Sequence, residues 1–180
     1  MTHLAVPKTY KLAIGGAFPR SESGRVYAVN DAKGAFVANA AKGSRKDARD
    51  AVVAARAALK GWSGATAYNR GQVLYRIAEL LEGRRAQFVD EITRLEGVSA
   101  VAANAQVDAA IDLWIWYAGW TDKHAQVVGN ANAVSGPYFN ISVPEPTGVV
   151  AVVVPQGSSL LGFVSVVAPP LVTGNTVVAI

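Results

Sequence analysis

The chain of 180 residues contains no cysteine, and that one absence removes disulfides, thiolate metal sites and a cysteine nucleophile together. Histidine is nearly as scarce: His3 and His124 stand alone, without partners at ligand-like spacing, so no metal centre is expected. Long apolar runs are missing as well. The longest stretches, Gly148–Pro155 and Leu160–Val172, are too short or too interrupted by Gly, Ser and Pro to span a bilayer. Met1–Lys11 lacks the charged start and apolar run of a secretory signal, which makes the cytoplasm the expected compartment. No block of like charge occurs either: 17 Lys and Arg against 13 Asp and Glu give +4, with the signs interspersed. Lys42, Arg45, Lys46 and Arg49 fall on one side of a helix, as a nucleic-acid footprint requires, but Asp47 and Asp50 sit among them. A solvated helix face is therefore favoured over phosphate contact, and no nucleic-acid or membrane partner is expected.

What is present is a chain 51% apolar, enough for a real core. Tyr10–Ile14, the Gly15-Gly16 turn, Val26–Val29 and Ala35–Ala38 read as short strands near the surface. At Ser44 the pattern becomes helical. Ser44 and Asp47 resemble a capping box, and Ala48, Ala51, Val52, Ala55 and Leu59 form one stripe, with Gly61 as the expected stop. A second helix from about Asn69 to Gly83 places Val73, Leu74, Ile77, Leu80 and Leu81 together. A third runs from Arg84 to Leu95, and after Gly97 a fourth continues through Asp108 to about Thr121. Trp114, Trp116, Tyr117 and Trp120 on the fourth could stack bases, but they point in different directions, which favours core or subunit packing. Gly129–Gly136 reads as a linker and Tyr138–Val143 as a strand. Gly148–Val154, a β-branched run, then a helix capped by Ser158 or Ser159 through about Leu171, then the strand Asn175–Ile180, make a βαβ unit with strands buried on both faces.

Such a unit sets a helix N-terminus beside the carboxyl end of a strand, where unpaired N–H groups favour an anion or cofactor phosphate. The connecting segment Pro155-Gln156-Gly157-Ser158-Ser159 is not a GxGxxG fingerprint, so nucleotide binding and an ordinary structural crossover both stay open. Ser158 and Ser159 have no assignable base, and Gly162 completes no GxSxG elbow, which favours capping over nucleophilic chemistry. Glu91, Glu96 and Asp108 read as surface charges rather than general bases.

Six segments, in order, resemble the aldehyde dehydrogenase family. Tyr10-Lys-Leu-Ala-Ile-Gly-Gly16 with Ser21-Glu-Ser-Gly-Arg25 is similar to the family's opening strands, and Ala51–Trp62 to its first helix. Arg76-Ile-Ala-Glu-Leu-Leu-Glu82 resembles the second helix, and Tyr117-Ala-Gly-Trp-Thr-Asp-Lys123 the YYAGWADK segment. Glu145-Pro-Thr-Gly-Val-Val150 through Pro155 resembles the first coenzyme-binding strand, and Ala168–Val178 the APALAAGNTVV segment.

The resemblance implies an α/β fold: N-terminal strands and a helical layer over 1–137, an oligomerisation-type strand and linker over 138–147, and the first βαβ unit of an incomplete Rossmann-like parallel sheet over 148–180. It implies oxidation of an aldehyde to an acid with NAD or NADP taking the hydride, in homo- or hetero-oligomers of such subunits. The family's cysteine attacks the carbonyl, an asparagine side chain and a backbone N–H hold the oxyanion, and a glutamate activates the hydrolytic water. The resemblance places the cysteine and glutamate in later sequence. Val153, Val154 and Pro155 match cofactor-lining positions, while Gln156 replaces the family's tryptophan and Gly157 stands at the oxyanion asparagine of PWNFP. No catalytic residue is therefore assigned. The expectation is an N-terminal fragment inactive by itself, whose cut parallel sheet leaves an apolar edge; the alternative is a non-catalytic subunit that pairs with a complete enzyme.

Overall fold

A computed structural model describes residues 8–180; His3 and most of the alternating N-terminal segment lie outside them. The chain is mixed helix and strand in three small sheets around a helical layer. Strands β1 (Thr9–Tyr10), β2 (Val26–Asn30) and β3 (Phe36–Ala41) form the first sheet, with β3 central, parallel to β1 and antiparallel to β2. The expected strand Tyr10–Ile14 is shorter. Beyond Tyr10 the chain turns on Gly15 and Gly16, whose φ values of 58° and 78° close an isolated bridge between Ile14 and Ala17.

Helix α1 (Arg45–Gly64) starts at Ser44 with the expected capping box: the Ser44 hydroxyl accepts from the Lys46 and Asp47 amides, and the Asp47 carboxylate accepts from the Ser44 amide. Asp47 does more than cap. Its carboxylate also accepts from the Ser21 hydroxyl at 2.7 Å and from the Glu22 amide at 3.1 Å, tying the β1–β2 connection to the helix. Only 7% exposed, Asp47 lies apart from the solvated charged face expected of its neighbours; Lys46 pairs there with Glu22, and Arg49 with Asp50. The helix also runs past Gly61. A glycine stops a helix where it turns left-handed, and Gly61 does not, whereas Gly97 at φ 70° ends the third helix.

Helices α2 (Ala67–Glu82), α3 (Arg85–Glu96) and α4 (Ala100–Ala118) make the expected layer, with Thr66 and Ser99 as N-caps of the first and last. The buried face of α2 is Gly71, Leu74, Ala78 and Leu81; Val73 and Leu80, expected on that stripe, are about half-exposed. The reason is a close crossing. A Cβ on Gly71 would lie 2.7 Å from Thr121 Oγ1 and 3.2 Å from the Ala118 carbonyl oxygen, so α2 rolls its smallest residue toward α4. Trp114 is buried in the core and Trp116 about half-exposed, with Trp116 packed against Tyr117 and Trp120.

After the short helix α5 (His124–Val128), the expected linker contains β4 (Asn130–Asn132), antiparallel to β5 (Asn140–Ser142). Its polar composition hid it, because this ribbon buries neither face; beside its backbone pairing, Asn132 Nδ2 donates to Asn140 Oδ1 and Ser142 Oγ, both at 2.9 Å. The βαβ unit follows as read, with β6 (Val149–Val152), α6 (Ser159–Val172) and β7 (Thr176–Ala179), the strands parallel and paired from Val149↔Thr176 to Val152↔Ala179. Both strands are mostly half-buried rather than enclosed. Helix α6 covers one face and α1 the other, where Thr176 Oγ1 donates to the Ala55 carbonyl at 3.0 Å, while the sheet edges stay open. Helix α4 joins this unit to the layer: Leu74, Val107, Trp114, Val164 and Val167 belong to one core. No helix among the described residues is long and apolar enough to cross a membrane.

Two glycines predict opposite signs. Gly71→Ala should destabilise by about 1–3 kcal/mol through overpacking, and Gly61→Ala, with nothing within 4 Å of the added Cβ, should stabilise by about 0.5–1 kcal/mol; denaturant titration reads both. Asp47 supplies a pH dependence. The Ser21 hydroxyl, then the Ser44 and Glu22 amides, lower its pKa from 3.8 to about 2 against the opposing effect of burial. A depressed carboxylate stabilises the fold above its unfolded value, and the contribution is lost as pH falls from 3.8 toward 2. Acid unfolding of Asp47→Asn should accordingly show a shallower dependence on pH in that window.

Candidate functional site at the β6–α6 turn

Strand β6 delivers its last residues to the turn that leads into α6. The strand end is fixed by backbone bonds from the Val154 amide to the Ile180 carbonyl (2.8 Å) and from the Ile180 amide to the Val152 carbonyl (2.9 Å). Val153 is 79% exposed, Val154 half-buried, and Pro155, Gln156 and Gly157 exposed. The turn can lie close over the helix because Gly162 is bare: a Cβ there would meet the Gly157 carbonyl oxygen and the Pro155 ring, each at 3.3 Å. Gly157 itself faces open space and presents only backbone.

Ser158 does not cap the helix. Its backbone is left-handed, at φ 53° and ψ 61°, and its side chain makes no capping bond. The cap comes from elsewhere in the chain. Glu96, at the end of α3, accepts from the Ser159 amide at 2.9 Å and from the Ser159 hydroxyl at 2.6 Å. Gln106 on α4 accepts from the Leu160 amide at 3.2 Å and donates to the other Glu96 oxygen at 3.1 Å. Half-buried, Glu96 is therefore more than the surface charge expected of it, whereas Glu91 and Asp108 pair with Arg94 and Arg85. Burial pushes the Glu96 carboxyl up, but the bonds from Ser159 and Gln106 outweigh it and hold the group below the usual carboxylate range.

These contacts bear on chemistry in two ways. The Ser159 hydroxyl donates to the Glu96 carboxylate, and among the described residues Ser158 has no side-chain partner that could take its proton, so the described residues activate neither serine as a nucleophile. The first two amides of α6, where an anion could bind, are those of Ser159 and Leu160, and they already donate to Glu96 and Gln106. The turn thus leaves Val153, Pro155 and Gln156 exposed beside a helix end whose Ser159 and Leu160 amides are paired. Among the described residues no group of three or more His, Cys, Asp or Glu could hold a metal ion. A cleft of about 870 Å³ lies elsewhere, along β7 and α1, with Leu12, Ala54, Phe163, Val178 and Ile180 in its walls. Among the described residues Asp47 is the one side-chain carboxylate lining it, and it is committed to Ser21, Ser44 and Glu22.

A parallel βαβ unit packed in one core with a helical layer marks an α/β protein. The aldehyde dehydrogenase family pattern matches residues 18–179, and the chain belongs to that family. It is 36% identical to retinal dehydrogenase 2 of Homo sapiens over 177 residues, which cover 95% of this chain and 33% of that protein. The structure superposes on an aldehyde dehydrogenase from Bacillus cereus with a TM-score of 0.89 at 28% identity, over 96% of this chain and 35% of that one. It superposes equally, at 0.89 and 26% identity, on PnpE in complex with nicotinamide adenine dinucleotide, over 94% and 35% of the two chains. The chain thus spans about a third of the length of the relatives it matches.

Because the Gly157 Cβ position is open and its φ is not left-handed, Gly157→Asn should change stability by less than about 0.5 kcal/mol. A thermal unfolding comparison checks this; a large loss would show that the turn requires glycine.

Proposed function

We propose that these residues are the N-terminal part of an NAD(P)-dependent aldehyde dehydrogenase and that alone they do not oxidise aldehydes. The observation that carries this reading is the absence of any thiol from a chain that matches the family across nearly all of its length. Attack on the carbonyl needs that sulfur, and nothing in the β6–α6 turn replaces it. Gly157 sharpens the point: at the position matched to the oxyanion asparagine no side chain exists to donate, and loss of such a donor costs about 3 kcal/mol of transition-state stabilisation. Val153, Val154, Pro155 and Gln156 are the residues we assign to line a coenzyme, NAD or NADP, by resemblance to the family. With one open wall and its helix end filled, this turn should hold the coenzyme weakly. Residues 1–137 and 148–180 are read as parts of the coenzyme-binding domain, with 138–147 as the oligomerisation strand, and the setting is taken as cytoplasmic.

A second reading is favoured by one surface. Beside β5, Tyr138 is 75% and Phe139 86% exposed, with Ile141 and Val143 also in solvent. Large apolar side chains in a row at a ribbon suit burial against another subunit. On this reading the chain is a non-catalytic partner that joins a complete aldehyde dehydrogenase.

The purified chain, given an aldehyde with NAD or NADP, should form no reduced coenzyme above the blank, and titration calorimetry should find no coenzyme site tighter than about 1 mM. Turnover by the purified chain would overturn the proposal. Native mass measurement after mixing with a complete family enzyme separates the readings: mixed oligomers favour the partner subunit, and their absence favours the N-terminal part of a single enzyme.

A further inference from the structure

The first turn of a helix presents unpaired amides with partial positive charge, and a neighbouring side chain or an external anion usually answers them. In α6 the residue placed to do so, Ser158, is turned away by its left-handed backbone. The answer comes instead from two other helices. Glu96 brings a full negative charge to the Ser159 amide and hydroxyl, and Gln106 bridges the second carboxylate oxygen to the Leu160 amide. The four bonds close a loop that ties α3 and α4 to the start of α6. Between this loop and the last β6–β7 backbone bonds at Val154 and Ile180, Gln156 and Gly157 are exposed. The position of the turn is therefore set from its two ends.

We propose that Glu96, acting with Gln106, is the positioning residue for the Val153–Ser158 turn, and that it works as a built-in anion which keeps external phosphate off the α6 N-terminus. The importance of the turn rests on the coenzyme-lining role proposed above; the clasp itself does not. Charge-assisted bonds to a carboxylate are the strong kind, and the position of the charge, rather than the identity of the residue carrying it, is what the geometry requires. Gln106 already contacts both Leu160 and Glu96, so a carboxylate placed there would reach the same helix end.

Residue-resolved amide hydrogen exchange on the whole 180-residue chain tests this without any activity. In Glu96→Ala the Ser159 and Leu160 amides should exchange about tenfold faster, while Leu74 and Val107 in the core keep their protection. Adding Gln106→Glu to that variant should restore most of the protection, which a purely space-filling role for Glu96 would not do. Inorganic phosphate should slow exchange at Ser159 in Glu96→Ala and leave the unmodified chain unchanged. Unaltered exchange in Glu96→Ala, no recovery in the double variant, or an equal phosphate effect in both proteins would each overturn the proposal. Should Glu96→Ala lose protection in the core, Glu96→Gln, which keeps the shape and removes the charge, is read by the same criteria. Failure of coenzyme binding would count against the proposed function and leave these exchange results standing.

Discussion

Helix α4 can pack on α2, α3 and α6 at once because most of its buried positions are small. Ala103, Val107, Ala110 and Ile111 lie along it, with Trp114 filling the space toward the end, and Gly71 on α2 removes even a methyl group where the two helices cross. Dispersion and apolar burial grow as backbones approach, so small residues at the crossings give a continuous core across the layer and the βαβ unit. Everything placed at the β6–α6 turn inherits this arrangement. Gln106 adjoins the buried Val107, and α3, which ends at Glu96, is held to α4 by Val89 and Ile92.

The turn is thereby built from the outside inward. The helices set where Glu96 and Gln106 stand; these two satisfy the α6 amides; and the satisfied amides fix the end of a segment whose central side chains have little to hold them. Among the described residues Ser158 is the one residue other than glycine with a left-handed backbone, and Glu96 and Gln106 take the capping role its side chain does not fill. Family membership explains the scaffold on which this happens. The charge and the amide oxygen at the end of the turn are supplied by Glu96 and Gln106, which lie outside it.

Local chemistry was legible in the sequence wherever a signal lay within a few residues. The Ser44–Asp47 capping box, the glycine that ends α3, the three helices of the layer and the parallel strands around α6 all rest on contacts within one element or between consecutive ones. Errors fell where a residue's meaning depended on a distant partner. Val73 and Leu80 are apolar and regularly spaced, yet Gly71 decided which face of α2 turned inward; β4 looked like a linker because neither side of its ribbon is buried.

The sequence by itself determined that no thiol exists, that position 157 offers no side chain, and that a βαβ unit follows a helical layer, since each depends on which residues are present and on their local period. Only the tertiary structure decided the second role of Asp47, beyond its cap, and the role of Glu96. One carboxylate finds Ser21 and the other Ser159, 26 and 63 residues away. A carboxylate's function is set by the donors that surround it, and those donors are assembled by packing rather than by neighbourhood in the chain.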